Sequence, residues 1–419
     1  MTTSSDADIT TAERTTLRDL ARRVAEVACL PVQEQRRRQW KRHNSLKSKR
    51  PMIWISPEGS WRELVPDTSL RCQGKKAREI ELQLRRTLYY HDHFCDDNLV
   101  EKTWTVRRAI VSSGWGVEPE WTWSHDPLGA RTFKPVIHAP GDLKKVRFPE
   151  IREDKEETAR QLAQARDLFG DILDVQLKGV AHVSFHLMAQ YTALRGLEQV
   201  MTDMIENPGW LHDAMALLAE GNRRLVQQYV DQNLLSLNND WTYHSSGGNG
   251  YTDELPAPGF DPQRVRPCDM WASAESQELA QVSPAMHEEF ALRYERPLLE
   301  PFGLNGYGCC EDLTRKLDDV LRIPNIRRIS ISPFADVAAC AEKLGDRAIY
   351  SWKPHPGHLV GAFDADAVRA YIRHTLEVTR ANGCIVEMIL KDTHTCENHP
   401  ERFDRWCRIA REEVERLTK

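Results

Sequence analysis

Two neighbouring thiols, Cys309 and Cys310, sit in Gly306-Tyr307-Gly308-Cys309-Cys310-Glu311, just after the short apolar run Pro301 to Leu304. A third thiol, Cys396, lies far downstream in Asp392-Thr393-His394-Thr395-Cys396-Glu397. Thiolate and imidazole are ligands that zinc takes readily. The flanking glycines suit a strand end where the backbone turns tightly and leaves side chains accessible. Cys309, Cys310, Glu311, His394 and Cys396 are therefore the candidate metal-ligating residues. The competing reading is that the thiols pack as small buried hydrophobes. Their spacing is unlike the paired CxxC knuckles of structural zinc sites.

Chemistry of this kind needs a scaffold that brings distant segments together. From about residue 155 the chain alternates short apolar runs with amphipathic helical stretches. The runs are Ile172-Gln176, Leu234-Asn238, Met270-Ala274, Phe302-Tyr307, Arg328-Ser332, Ala348-Trp352 and Cys384-Leu390, with Thr105-Val111 as a possible eighth. Strand-then-helix alternation predicts parallel strands with helical crossovers, and this number of runs suits a (β/α)8 TIM barrel in the α/β class. No GxGxxG follows a run, which counts against a dinucleotide-binding fold. In such a barrel the carboxyl ends of the strands carry the chemistry. Those ends supply His182 and His186, then Asn239, Asp240, Tyr243 and His244, then Glu275 and Gln277, then the thiol pair, Lys353 to His358, and Lys391 to Cys396. Asp240 and Glu275 are candidate acid–base groups, although carboxylates at barrel mouths also bind backbone amides. His244 is a candidate catalytic residue.

Upstream, Thr10 to Leu30 and Arg71 to Asp97 carry helical periodicity, whereas Val111 to Val146 mixes Trp, Pro and Gly with no helical period. The expected organisation is residues 1–150 as a helical extension with a β-rich insertion, packed on a barrel of residues 151–419. The cluster His91-Asp92-His93 with Asp96-Asp97 resembles a metal site in composition, but a polar loop at a helix end is the plainer reading.

A net charge of −5 and a pI near 6.3 point away from nucleic acid. No apolar stretch is long enough to span a membrane. Met1 to Asp6 has neither a basic region nor an apolar core, so no secretory signal is expected, and ten cysteines then read as reduced thiols of a cytoplasmic protein.

Three segments stand out: Val282-Ser283-Pro284-Ala285-Met286-His287-Glu288-Glu289-Phe290, Gly196-Leu197-Glu198-Gln199-Val200 with Asn207-Pro208, and Ala335-Asp336-Val337-Ala338 through Lys343-Leu344-Gly345 to Lys353-Pro354-His355-Pro356. In them the chain resembles the uroporphyrinogen decarboxylase-like superfamily, and within it the cobalamin-linked methyltransferases. The resemblance covers roughly residues 172–419 and implies the same barrel. The decarboxylases hold substrate carboxylates with an arginine-rich N-terminal loop that is missing here. The methyltransferases bind zinc through H-x-C at one strand end and a cysteine near the last strand. Cys309 or Cys310 matches the first cysteine and Cys396 the second, but Tyr307 or Gly308 stands at the histidine position. The resemblance leaves that ligand to the other vicinal thiol, Glu311, His394 or His244. It implies methyl transfer from a small methylated, methoxylated substrate to a corrinoid, or between corrinoid and thiol, with zinc in the site and cobalamin supplied in trans by a partner corrinoid protein. The alternatives are a metal-free decarboxylase and a non-catalytic ligand-binding barrel.

Overall fold

Thr10 starts the first helix, Thr11–Ala28, with a reciprocal capping box: its hydroxyl accepts from Glu13 N at 3.3 Å, and Glu13 Oε2 accepts from Thr10 N at 2.9 Å. Leu17, Ala21, Val24 and Val27 recur at helical spacing and are buried. They pack with Ala77, Leu84 and Leu88 of helix Lys75–His93 and with Leu168 and Phe169 of helix Lys155–Phe169. The structure, a computed structural model, describes residues 9–122 and 132–418.

Among the described residues the strands are β1 (Met52–Ile55), β2 (Thr103–Arg107), β3 (Ile110–Ser112), β4 (Glu120–Thr122), β5 (Thr132–Lys134), β6 (Ile151–Glu153), β7 (Asp174–Lys178), β8 (Ser184–Phe185), β9 (Trp271–Ala274), β10 (Leu304–Tyr307), β11 (Ile326–Ile331), β12 (Ile349–Trp352) and β13 (Ile385–Leu390). Seven of them form one sheet in the order β1-β13-β12-β11-β10-β9-β8. The β1–β13, β8–β9, β9–β10 and β10–β11 pairings are parallel. Helices cross between successive strands, so the molecule is α/β as the alternation predicts.

Five of the expected runs become β9 to β13. Three others do not enter the large sheet, and of these Thr105-Val111 is divided between β2 and β3. The run at Ile172-Gln176 becomes β7, which pairs with β2 in a ribbon of its own. Leu234-Asn238 makes a single bridge, Leu235 to Val180. In their place the sheet takes β8, only two residues long, and β1, which is as long as β9, β10 and β12 but lies outside the alternating part of the sequence. β1 ends the sheet, and its outward amides are not left bare: Ile53 N donates to Asp97 Oδ2 at 2.9 Å and Ile55 N to Asp96 Oδ2 at 3.1 Å. The acidic pair after His93 thus has a structural task. Arg50 and Arg411 pair with Asp97 and hold its carboxyl below its usual range despite burial.

Two compact units divide the chain, and they interleave. One is Met1–Arg107, Glu156–Lys178 and Ser351–Lys419; the other is Arg108–Lys155 and Gly179–Tyr350. The expected boundary at residue 150 falls within a segment of the second unit. Part of the expected insertion, including Trp123, lies outside the described residues. The rest of it holds the antiparallel β4–β5 pair and is anchored by Val136 N and Ile137 N, which donate to Leu194 O at 2.8 and 3.0 Å. Among the described residues no helix is long and apolar enough to cross a membrane.

Candidate active site

The second unit gathers chemistry at the ends of β8, β9 and β10. His186 follows β8, Glu275 and Ser276 follow β9, and Cys309 to Glu311 follow β10. The chain can turn sharply after β10 because Gly308 adopts φ +90°, a conformation that costs glycine little. His186 Nδ1 is hydrogen-bonded to Glu275 Oε1. The His186 side chain is 47% exposed while Glu275 is buried, so the pair presents an imidazole to solvent on a buried carboxylate. Burial works against charge on His186, but the hydrogen bond and charge of Glu275, with Cys309 and Glu295 nearby, outweigh it and raise its pKa.

Cys309 and Cys310 are both partly exposed, with sulfurs 3.5 Å apart. Two sulfurs bound to one tetrahedral zinc at about 2.3 Å would lie roughly 3.8 Å apart, so the pair fits two positions around a soft ion. Among the described residues, no group of three or more His, Cys, Asp and Glu is arranged to hold a metal. The two thiols fit, but no third ligand completes the set. Glu311, an expected ligand, is buried and turned to the backbone, accepting from Cys309 N at 2.7 Å and Ser276 N at 3.4 Å.

Behind this front lies a buried polar chain. Ser276 Oγ donates to Glu295 Oε1 at 2.7 Å and Tyr307 OH to Glu295 Oε2 at 2.8 Å, while His287 Nε2 meets Tyr307 OH at 2.9 Å. Burial raises Glu311 to about 8, with the charge of Glu275 adding to it. Burial likewise raises Glu278 and Glu295 to about 7. His287 falls to about 3 by burial, helped by Lys316 and Arg296, and is neutral. The site therefore stores protons on carboxyls at neutral pH, a pattern characteristic of functional sites.

The other expected residues have different surroundings. His244 is buried; its Nε2 meets Ala272 O at 3.1 Å and its Nδ1 faces Arg328 Nη1 at 2.8 Å, so both ring nitrogens are engaged. One oxygen of Asp240 is committed to its own turn, accepting from Thr242 N at 2.9 Å. In the first unit, Cys396 is buried and its Sγ donates to Glu63 Oε2 at 3.0 Å, which with burial raises the thiol to about 12. Burial would raise Glu63, but hydrogen bonds from Thr395, Cys396 and Asn398 hold it at about 2. His394 is exposed, and its carbonyl accepts from Arg62 Nη2 at 2.8 Å.

Sequence reasoning missed Glu278, Glu295 and the Tyr307–His287 link. Glu295 did leave a signal: it falls on the buried stripe Ala291, Leu292, Leu298 and Leu299, where a carboxylate is costly without partners. A π turn, Glu288–Leu292, immediately precedes its helix, Arg293–Leu299, and such turns recur at functional sites.

No protein-family model matches the sequence, and no curated protein matches it. The fold is similar to that of a methyltransferase from Methanosarcina mazei, with a TM-score of 0.50 and 12% identity over 90% of this chain and 98% of that one.

Proposed function

We propose that the protein is an enzyme of methyl transfer, built as a (β/α)8 barrel of the uroporphyrinogen decarboxylase type. It would move a methyl group from a small methylated substrate to a corrinoid carried by a partner protein. The observation that carries this reading is the meeting of His186–Glu275 with Cys309 and Cys310 at successive parallel strand ends. The sequence segments shared with the cobalamin-linked methyltransferases and the fold similarity support it.

Loss of a methyl group leaves an electron pair on the departing oxygen, nitrogen or sulfur, and a nearby acid lowers the cost of that charge. His186, half exposed and favoured as the cation by its hydrogen bond to Glu275, would give that proton. Glu275 fixes the tautomer and orientation of the imidazole. Glu311, raised to about 8, is mostly protonated near pH 7 and Glu278, raised to about 7, is about half protonated, which limits negative charge beside the thiols. Cys309 and Cys310 supply two of the ligands that a zinc ion would need; bound there, it would supply Lewis-acid chemistry at the leaving atom.

The test is incubation with a reduced corrinoid and a panel of methoxylated aromatics, methylated amines and thioethers, followed by the corrinoid's absorbance. Turnover should fall by roughly 10²-fold or more in His186→Gln and Glu275→Gln. In the parent it should decline as pH rises through the elevated pKa of His186. Zinc content should fall in Cys309→Ser with Cys310→Ser; its retention there and loss in Cys396→Ala would move the metal to the other loop. No transfer across the panel, with carbon dioxide released from a carboxylated substrate, would replace this reading by the decarboxylase.

A further inference from the structure

The first unit contains a cavity of about 550 Å³ remote in sequence from the residues of the proposed site. β2, the start of helix Lys75–His93 and helix Lys155–Phe169 line it. Its wall is apolar and aromatic: Trp104 is partly exposed and stands 4.9 Å, centroid to centroid, from the buried ring of Phe169, with Ile80 and Leu168 beside them. Its rim is basic, with five Lys and Arg side chains against two carboxylates.

The basic groups are not equally committed. Arg14 pairs with Asp167 and Arg160 with Glu157. Lys76 is half-buried with its amine on Gln164 Oε1, and burial and the charge of Arg160 lower its pKa, so two cations stand close together there. Among the described residues Lys75 and Arg107 enter no ion pair, and both are exposed at the rim. Like charges crowded at the mouth of a concave, partly aromatic cavity are relieved by an anion with a flat apolar body.

We propose that this cavity binds a small aromatic anion, its ring against Trp104 and its charged group between Lys75 and Arg107. The aromatic surface supplies burial and the free cations supply orientation.

Titration calorimetry of the full chain with 2-naphthoate, and with uncharged 2-naphthamide as control, tests this. Naphthoate should bind at one saturable site, at least about tenfold more tightly than the amide, and weaken as salt is added. Lys75→Glu with Arg107→Glu should lose about tenfold or more of the naphthoate affinity without lowering the unfolding temperature, as both side chains are exposed. The glutamine pair serves if charge reversal disturbs folding. Trp104→Ala should weaken acid and amide alike. Cys309→Ser with Cys310→Ser should leave naphthoate binding unchanged, which separates this cavity from the proposed methyl-transfer site. Equal affinity for acid and amide, no binding at millimolar naphthoate, or indifference to the Lys75 and Arg107 changes would overturn the proposal.

Discussion

Glu311 shows how burial sets the state of a residue that its motif places beside two thiols. Its position beside two cysteines suggests a metal ligand. In the fold its carboxyl is buried against the amides of Cys309 and Ser276, and a buried carboxyl prefers its proton. The folded-state pKa of about 8 lies above the ordinary 4.5, so between those values the folded chain binds the proton and the unfolded chain does not. Stability from this group is therefore full below about pH 4.5 and is lost as pH rises towards 8. Glu311→Gln, which does not titrate and keeps one acceptor, should unfold close to the parent at pH 5 and roughly 2–4 °C higher at pH 8. Scanning calorimetry at the two pH values checks this; a variant less stable at pH 8 than the parent would mean that Glu311 is ionised and serves as an anion.

At the scale of elements, β10 and the turn after it decide where the thiols go. Gly306 lies in register with Ser273 on β9 and Arg328 on β11, and a methyl group there would come within 2.8 Å of His244. Gly308 carries φ +90°, with Leu313 Cδ1 only 2.7 Å from where a Cβ would sit. Gly308→Ala should therefore cost roughly 1–3 kcal/mol, read as a lower urea midpoint at unchanged slope. An unaffected midpoint would mean that the turn relaxes freely and does not fix the thiols. The glycines were legible in the sequence as turn formers. What they avoid was not: the ring of His244 arrives from a distant part of the chain, and the tip of Leu313 from the loop that follows the turn.

For the whole molecule, the interleaving of the two units has a direct consequence. Residues 151–419 lack β1, which pairs with β13, and lack helices Thr11–Ala28 and Lys75–His93, which bury Leu168 and Phe169. That fragment should not fold by itself: its melting curve should be broad and its elution that of an expanded or aggregated chain, in contrast to a single cooperative transition for the full chain. A cooperatively folded, monomeric fragment would mean that residues 1–150 are an extension packed on a barrel that folds without them.

The sequence by itself determined the α/β class, five strands of the large sheet, the helices between them, and the strand ends carrying Glu275 and the thiol pair. These are local properties: periodicity, turn residues and caps are written in neighbouring positions. The tertiary structure alone decided that β1 and β8 complete the sheet, that Asp96 and Asp97 close its edge, and that His244 meets Arg328. It alone placed Glu295 and Tyr307 behind the exposed imidazole, and set Cys396 against Glu63. Such pairings depend on which side chains meet after long stretches of chain have crossed the fold, and on the burial that then sets their charge. Spacing along the chain carries neither.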